Sequence, residues 1–132
     1  MKQRSVLLQL ARDSIQEVFE AKRTIKKDNL LIKHTLLNEK IPTTVNIYIN
    51  NKLRGSSSSD TVHMNLLESI IDNAKKSAFE DKNFSPLTSS EYLSCEIELV
   101  LNTKNGIISE KDPAILEYEP HMSNIFKFSD NA

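Results

Sequence analysis

Apolar positions recur at three- and four-residue spacing early in the chain: Val6, Leu7, Leu10, Ala11, Ile15, Val18 and Phe19. Arg12, Asp13, Gln16, Glu17 and Glu20 fall on the opposite side. A stripe of that period predicts an amphipathic helix over about 4–24 with one face for a core. Asp28-Asn29 reads as a break and cap; residues 30–38 fit helix or strand, and a short helix is preferred. Val45, Ile47 and Ile49 then alternate with Thr44, Asn46, Tyr48 and Asn50, the period of a half-buried strand. Asn50-Asn51-Lys52 is turn chemistry, because Asn tolerates positive φ, so Leu53-Arg54 is expected to pair back as a hairpin. Leu66, Leu67, Ile70, Ile71, Ala74 and Ala78 form a second helical stripe over about 62–79, with Asp60 or Thr61 as the expected N-cap.

Pro86 bars that helix from continuing, and Thr88-Ser89-Ser90-Glu91 has the spacing of a capping box. Cys95, Ile97, Leu99 and Leu101 alternate with Glu96, Glu98, Val100 and Asn102 as a further strand. Lys104-Asn105-Gly106 turns it, and Ile107-Ile108 begin a return. This order predicts one α+β domain over 1–110, an antiparallel or mixed sheet flanked by helices. A tail at 111–132 alternates only in short pieces such as Phe126-Lys127-Phe128.

Composition narrows the class. With 132 residues, 39% apolar and 27% charged, the chain is an ordinary globular domain able to bury its own core. One cysteine excludes a disulfide framework and a cysteine-rich zinc ribbon. The apolar run Val6-Leu7-Leu8 is too short for a secretion signal, and no stretch reaches the ~20 apolar residues of a membrane span, so a cytoplasmic location is expected. Net charge is −1, yet residues 1–58 carry eleven Lys and Arg against five acids, and 59–132 carry six against thirteen. Lys22, Arg23, Lys26 and Lys27 are the densest basic group. They offer a weak nucleic-acid footprint, or cations complementing the dipole of a helix C-terminus, and no aromatic residue is interleaved to stack bases.

Candidate chemistry gathers after the hairpin. Gly55, one of two glycines, follows the strand and is expected to hold a backbone angle that other residues resist. Ser56 to Ser59 then lead to a helix N-terminus. Arg54, Gly55, Ser56 and Ser57 thus suggest a loop that binds an anion or a partner, with the guanidinium as a bidentate donor. The competing reading has Arg54 pairing with Asp81 or Glu91 and bracing the loop. An enzymatic alternative uses a serine of the same loop with His63 or Asp81 as acid or base. Asp81 and Phe84 lie on a connection that neighbours the loop, and Phe84 with Leu87 is expected to pin it to the core. His34, His63 and His121 show no ligand spacing, so neither a metal nor a cofactor is expected. Cys95, on the apolar face of its strand, reads as an inert core thiol.

Leu53-Arg54-Gly55, Asn73-Ala74, Ala78-Phe79, Asp81, Phe84, Pro86-Leu87, Glu91 and Ile97-Glu98-Leu99 occur in an order that resembles the AMMECR-like domain family, including protein A of the AmmeMemoRadiSam system. The resemblance spans about residues 5–105. It implies an α+β domain with an antiparallel sheet flanked by helices, carries no settled activity, and suggests a Memo-like protein and a radical S-adenosylmethionine enzyme as partners. The family loop reads Leu-Arg-Gly-Cys-Ile-Gly; here Ser56, Ser57 and Ser58 replace the last three residues, so thiol chemistry does not carry over. Family members also continue further, and a shorter C-terminal part leaves a sheet edge or core face open to a partner or to self-association. A non-catalytic binding or accessory module is the expected function.

Overall fold

A computed structural model describes residues 4–60 and 63–115. Ser5 caps the first helix, α1 (Val6–Glu20), its hydroxyl accepting the Leu8 N–H at 3.1 Å. The helix stops four residues earlier than its periodicity suggests. Ala21 turns into the left-handed region at φ 53°, and the Glu17 carboxylate takes the Thr24 and Ile25 N–H groups at 2.6 and 2.9 Å. Residues 30–38 resolve into the end of α2 (Lys27–Lys33) and a 3-10 turn at Thr35–Asn38.

The strands β1 (Thr43–Ile49) and β2 (Lys52–Ser59) form a hairpin across Asn50 and Asn51, both at positive φ as the turn requires. Helix α3 (Leu66–Phe79) begins later than expected, because Asn65 rather than Asp60 or Thr61 is its N-cap, accepting from Glu68 N–H at 2.9 Å. Thr88 and Glu91 do form a capping box, which starts α4 (Ser89–Ser94). Strands β3 (Glu96–Thr103) and β4 (Gly106–Asp112) complete an antiparallel sheet in the order β2-β1-β3-β4. Helices α1 and α3 cover one face, where Val45, Ile47, Ile97, Leu99 and Leu101 meet Leu10, Ala11, Ile15, Leu66, Leu67 and Ile70. The other face carries Thr44, Asn46, Tyr48, Glu96 and Glu98 and is polar. The class is α+β. The fold continues past 110, through β4 to Asp112 and on to Ala114 and Ile115 at the core; residues from 116 onward, with Phe126-Lys127-Phe128, lie outside the described residues.

Arg12 overturns its place on the solvent side of the helical wheel. It is 1% exposed, and its Nε donates to the equally buried Asp112 carboxylate. Nη2 donates to the carbonyls of Cys95 at 2.8 Å and Pro113 at 3.0 Å, while the guanidinium carbon lies 5.3 Å from the Tyr92 ring centre. Tyr92 returns a hydrogen bond from its hydroxyl to the Arg12 carbonyl at 3.2 Å. Asp112 also accepts from Arg4 Nε at 3.1 Å, so two arginines converge on one carboxylate. One side chain thereby joins α1, α4 and both strands of the β3–β4 hairpin.

A buried charge deprived of its partner is expensive, so Arg12→Met or Asp112→Leu alone should lower unfolding free energy by about 3–5 kcal/mol. Measured by urea denaturation, the pair of substitutions together should cost less than the sum. Strict additivity would show that the two charges do not interact.

Gly55→Ala should cost about 2 kcal/mol or more, because a Cβ there would come 2.0 Å from the Ser77 carbonyl oxygen of α3. Gly106→Ala, at φ 124° with nothing within 4 Å, should cost only about 1 kcal/mol from backbone strain. Equal losses of melting temperature would remove the steric account.

Candidate functional site

Gly55 lies inside β2, not at a strand end, and its φ is negative or extended; Gly106 is the glycine at positive φ. It is glycine because α3 crosses β2 at contact distance from its backbone. The four serines correct the sequence expectation in the same way: they continue the strand through Ser59 and form no loop before a helix. Strand alternation divides them. Ser57 and Ser59 face α3, where Ser57 Oγ donates to Asn73 Oδ1 at 2.7 Å, and Asn73 Nδ2 donates to Ser59 Oγ at 3.0 Å and to the Ser69 carbonyl at 2.9 Å. The Ser59 and Ser69 hydroxyls meet at 2.7 Å. Ser56 and Ser58 face the open side, with Ser56 Oγ donating to Asn46 Oδ1 at 2.6 Å and Ser58 meeting Thr44 at 2.8 Å.

Arg54, next to this seam, is clasped. Its Nε and Nη2 donate to the two oxygens of Glu91, each at 3.0 Å, and Nη2 also reaches the carbonyls of Ser85 at 2.9 Å and Pro86 at 3.4 Å. The Phe84 ring centre is 5.5 Å from the guanidinium carbon. Arg54 is 13% exposed and Glu91 34%, so the pair is at the rim and not in the core. Glu91 Oε1 further accepts the Thr88 N–H at 3.0 Å. Hydrogen bonding to Arg54, then to Thr88, holds the Glu91 carboxyl at about 2, far below its ordinary 4.5. Asp81 completes the rim: Oδ2 accepts the Ser56 N–H at 2.9 Å and Oδ1 the Asn83 N–H at 2.8 Å. Leu87 anchors the connection from beneath, buried and donating its N–H to the Ala78 carbonyl at 2.8 Å.

Four of the six residues singled out in the sequence therefore meet at the rim, Arg54 and Ser56 of β2 with Asp81 and Phe84 of the facing connection, while Gly55 packs against Ser77 and Ser57 turns to Asn73. Their roles differ from the simple receptor. The Glu91 carboxylate stands where an external anion would dock on Arg54, which is the bracing arrangement. The serine–base geometry is also not formed, since Asp81 meets Ser56 through its backbone N–H while the hydroxyl turns to Asn46. His63 lies in the bend before α3, and His121 lies outside the described residues.

Lys22, Arg23, Lys26 and Lys27 are exposed on the connection after α1 and at the start of α2. None lies in the last turn of α1, so the dipole argument for them fails. Cys95 is fully buried, and burial pushes its thiol up despite the nearby Arg12. Among the described residues no group of three metal-ligating side chains forms, and no helix is long and apolar enough to cross a membrane. Asp112 escaped the sequence reading, and Asn73 was marked only through the resemblance, without its role in the seam. Asp112 gave no signal beyond a turn-like Asp-Pro pair, and the role of Asn73 could have been found from its position four residues from both Ser69 and Ser77 on one helix face.

The α+β fold agrees with the family comparison. The AMMECR1 family model matches residues 8–121, and the chain belongs to the AMMECR1 family. The crystal structure of uncharacterized protein PH0010 from Pyrococcus horikoshii superposes with a TM-score of 0.63 at 28% identity. That similarity covers 72% of this chain and 48% of PH0010, so the chain spans about half the length of that neighbour. No curated protein matches the chain.

Because the folded Glu91 pKa lies below its unfolded value, the Arg54–Glu91 clasp should stabilise fully above about pH 4.5 and lose that contribution as pH falls towards 2. Solvent screening at the rim limits the effect to about 1 kcal/mol. Comparing melting temperatures of the wild type and Glu91→Gln from pH 7 to pH 2.5 should show a gap that closes on acidification; a gap independent of pH would contradict the assignment.

Proposed function

We propose that this AMMECR1-family chain is a non-catalytic binding module whose docking surface is the rim formed by Arg54 and Ser56 of β2 with Asp81 and Phe84, while Gly55 and Ser57 seat the strand on α3 beneath it. The observation that supports this reading is the bidentate Arg54–Glu91 clasp backed by the Phe84 ring. Polar groups oriented by one another need little ordering when a partner arrives, which suits recognition by a rigid surface. Recognition then runs through the Phe84 ring, the edge of the guanidinium and the exposed Ser85-Pro86 backbone. A free anion must first displace Glu91, so a protein partner that contacts the clasp from outside is the better occupant. A Memo-like protein and a radical S-adenosylmethionine enzyme are the partners this reading names.

Titration calorimetry with each purified candidate partner tests it. The wild type should bind at least one, and Phe84→Ala should weaken binding about tenfold or more with the melting temperature nearly kept. Arg54→Lys, which retains charge but loses the fork, should fall between them. Absence of wild-type binding to both proteins, or rim variants that bind as the wild type does, would refute the reading.

A further inference from the structure

The two outer edges of the sheet are treated differently. On β2, the outward N–H of Ser56 is taken by Asp81, and the 81–86 connection lies against the strand through Arg54. On β4, the residues Gly106 to Ser109 are all exposed, with Ile107 at 73% and Ile108 at 53%.

The phase of hydrogen bonding on β4 follows from one contact. Asn102 N–H donates to Pro42, away from β4, so the Asn102–Ile107 pair is not hydrogen-bonded and Ile107 points its backbone groups outward. By alternation Ser109 and Lys111 do the same, whereas Gly106, Ile108, Glu110 and Asp112 bond inward to β3. Three residues at two-residue spacing thus present donors and acceptors that no described residue pairs along one edge.

A lysine on an edge strand usually guards it by projecting its charge. Lys111 does not. Its ammonium is drawn back over the polar face, 4.6 Å from the Tyr48 ring centre and 3.5 Å from Glu96 Oε1, an ion-pair contact longer than a hydrogen bond. The Glu110 carboxylate is likewise turned towards α1, accepting from the Ser5 hydroxyl at 3.0 Å.

We propose that β4 is a self-association edge, pairing antiparallel with β4 of a second copy about a two-fold axis at Ser109 to give a continuous eight-stranded sheet. This register is the one that uses all the outward groups. Ser109 faces its own counterpart, and Ile107 faces Lys111 of the second copy in both directions, giving six backbone hydrogen bonds. Ile107 packs along the aliphatic stem of that lysine, and Ile108 lies opposite Glu110, so no like charges are directly opposed. Edge pairing alone is a small interface, so the dimer forms at roughly 10 µM to 1 mM. The proposal does not depend on the β2 rim.

Sedimentation equilibrium of the full chain across that range should show a monomer–dimer equilibrium. Ser109→Pro, which removes an outward N–H without breaking the β3 ladder, and Ile107→Lys, which sets lysine against lysine, should both leave monomer with unchanged circular dichroism. The register has its own test. Oxidised with copper-phenanthroline, Ser109→Cys should form a covalent dimer, because facing Cα atoms lie about 5.5 Å apart. Ile107→Cys should not, because its counterpart is roughly 13 Å away along the strand. A wild-type chain that stays monomeric at 1 mM, a dimer indifferent to both edge variants, or cross-linking through Ile107→Cys alone would overturn the proposal.

Discussion

The structure depends on a charge placed where charges are costly. Arg12 comes from the middle of α1 into a buried site, and the fold answers Nε with Asp112, Nη1 with the Tyr92 carbonyl and Nη2 with the carbonyls of Cys95 and Pro113, with the Tyr92 ring alongside. Hydrophobic contacts among Ile15, Val45, Ile70 and Leu99 are tolerant of small displacements. A guanidinium fork is not, because its partners lie in fixed directions. The arrangement therefore sets the position of α1 against the β3–β4 hairpin, and with it the course of the chain as it leaves the sheet at Pro113. Arg4 adds a second bond to the same carboxylate from the other side of the Ser5 cap. The start of α1 and the end of β4 are locked to each other by one aspartate.

A second constraint is steric. Gly55 lets α3 press its Ser77 carbonyl against β2, closer than any side chain would permit. Where a helix and a strand come this near, only small residues fit between them, and the seam is accordingly Ser57, Ser59, Ser69, Asn73 and Ser77. Ser57 occupies the place where the family pattern has isoleucine. Its hydroxyl is buried at no loss because Asn73 accepts it, and the asparagine's own amide is met by Ser59 and Ser69. The serine run is thus a polar packing surface of β2. Ser58, where the pattern has its final glycine, continues as regular strand opposite Thr44.

Much of this architecture could be read from residue order. Period-two alternation located β1 and β3, the Asn50-Asn51 pair located the turn from β1 to β2, and Thr88 with Glu91 marked a helix start. These signals are local, made by residues within a few positions of each other. Helix ends were misplaced by local contacts, Glu17 with Thr24 and Ile25 and the Asn65 cap, whereas the larger errors involve partners far apart in sequence. Nothing near Arg12 says that Asp112, one hundred positions away, will draw it into the core. Nothing near Gly55 says that a helix will cross it at Ser77. A serine run beside a glycine looks like a loop until the opposing asparagine is in place. The candidate site was legible as a set of residues, because Arg54, Asp81 and Phe84 were all marked. Its function in the fold was not, because choosing between Glu91 and an external anion as the partner of Arg54 needs the distance between them.

The clasp and the open edge divide the labour of the sheet. At β2 the chain fills the outward positions itself, since Asp81 takes the Ser56 N–H and Arg54 reaches across to residues 85, 86 and 91. Adding a strand there would require breaking a charge-assisted bond as well as expelling the connection, so the docking proposed for that edge runs through side chains and surface shape. At β4 the outward backbone groups carry no such cover from the described residues, and Lys111 and Glu110 are engaged elsewhere. Recognition at that edge is by main chain, which is indifferent to most side-chain changes and specific chiefly in register. One four-stranded sheet therefore presents two kinds of edge. Because β2 and β4 lie on opposite margins, with β1 and β3 between them, occupying one leaves the other accessible.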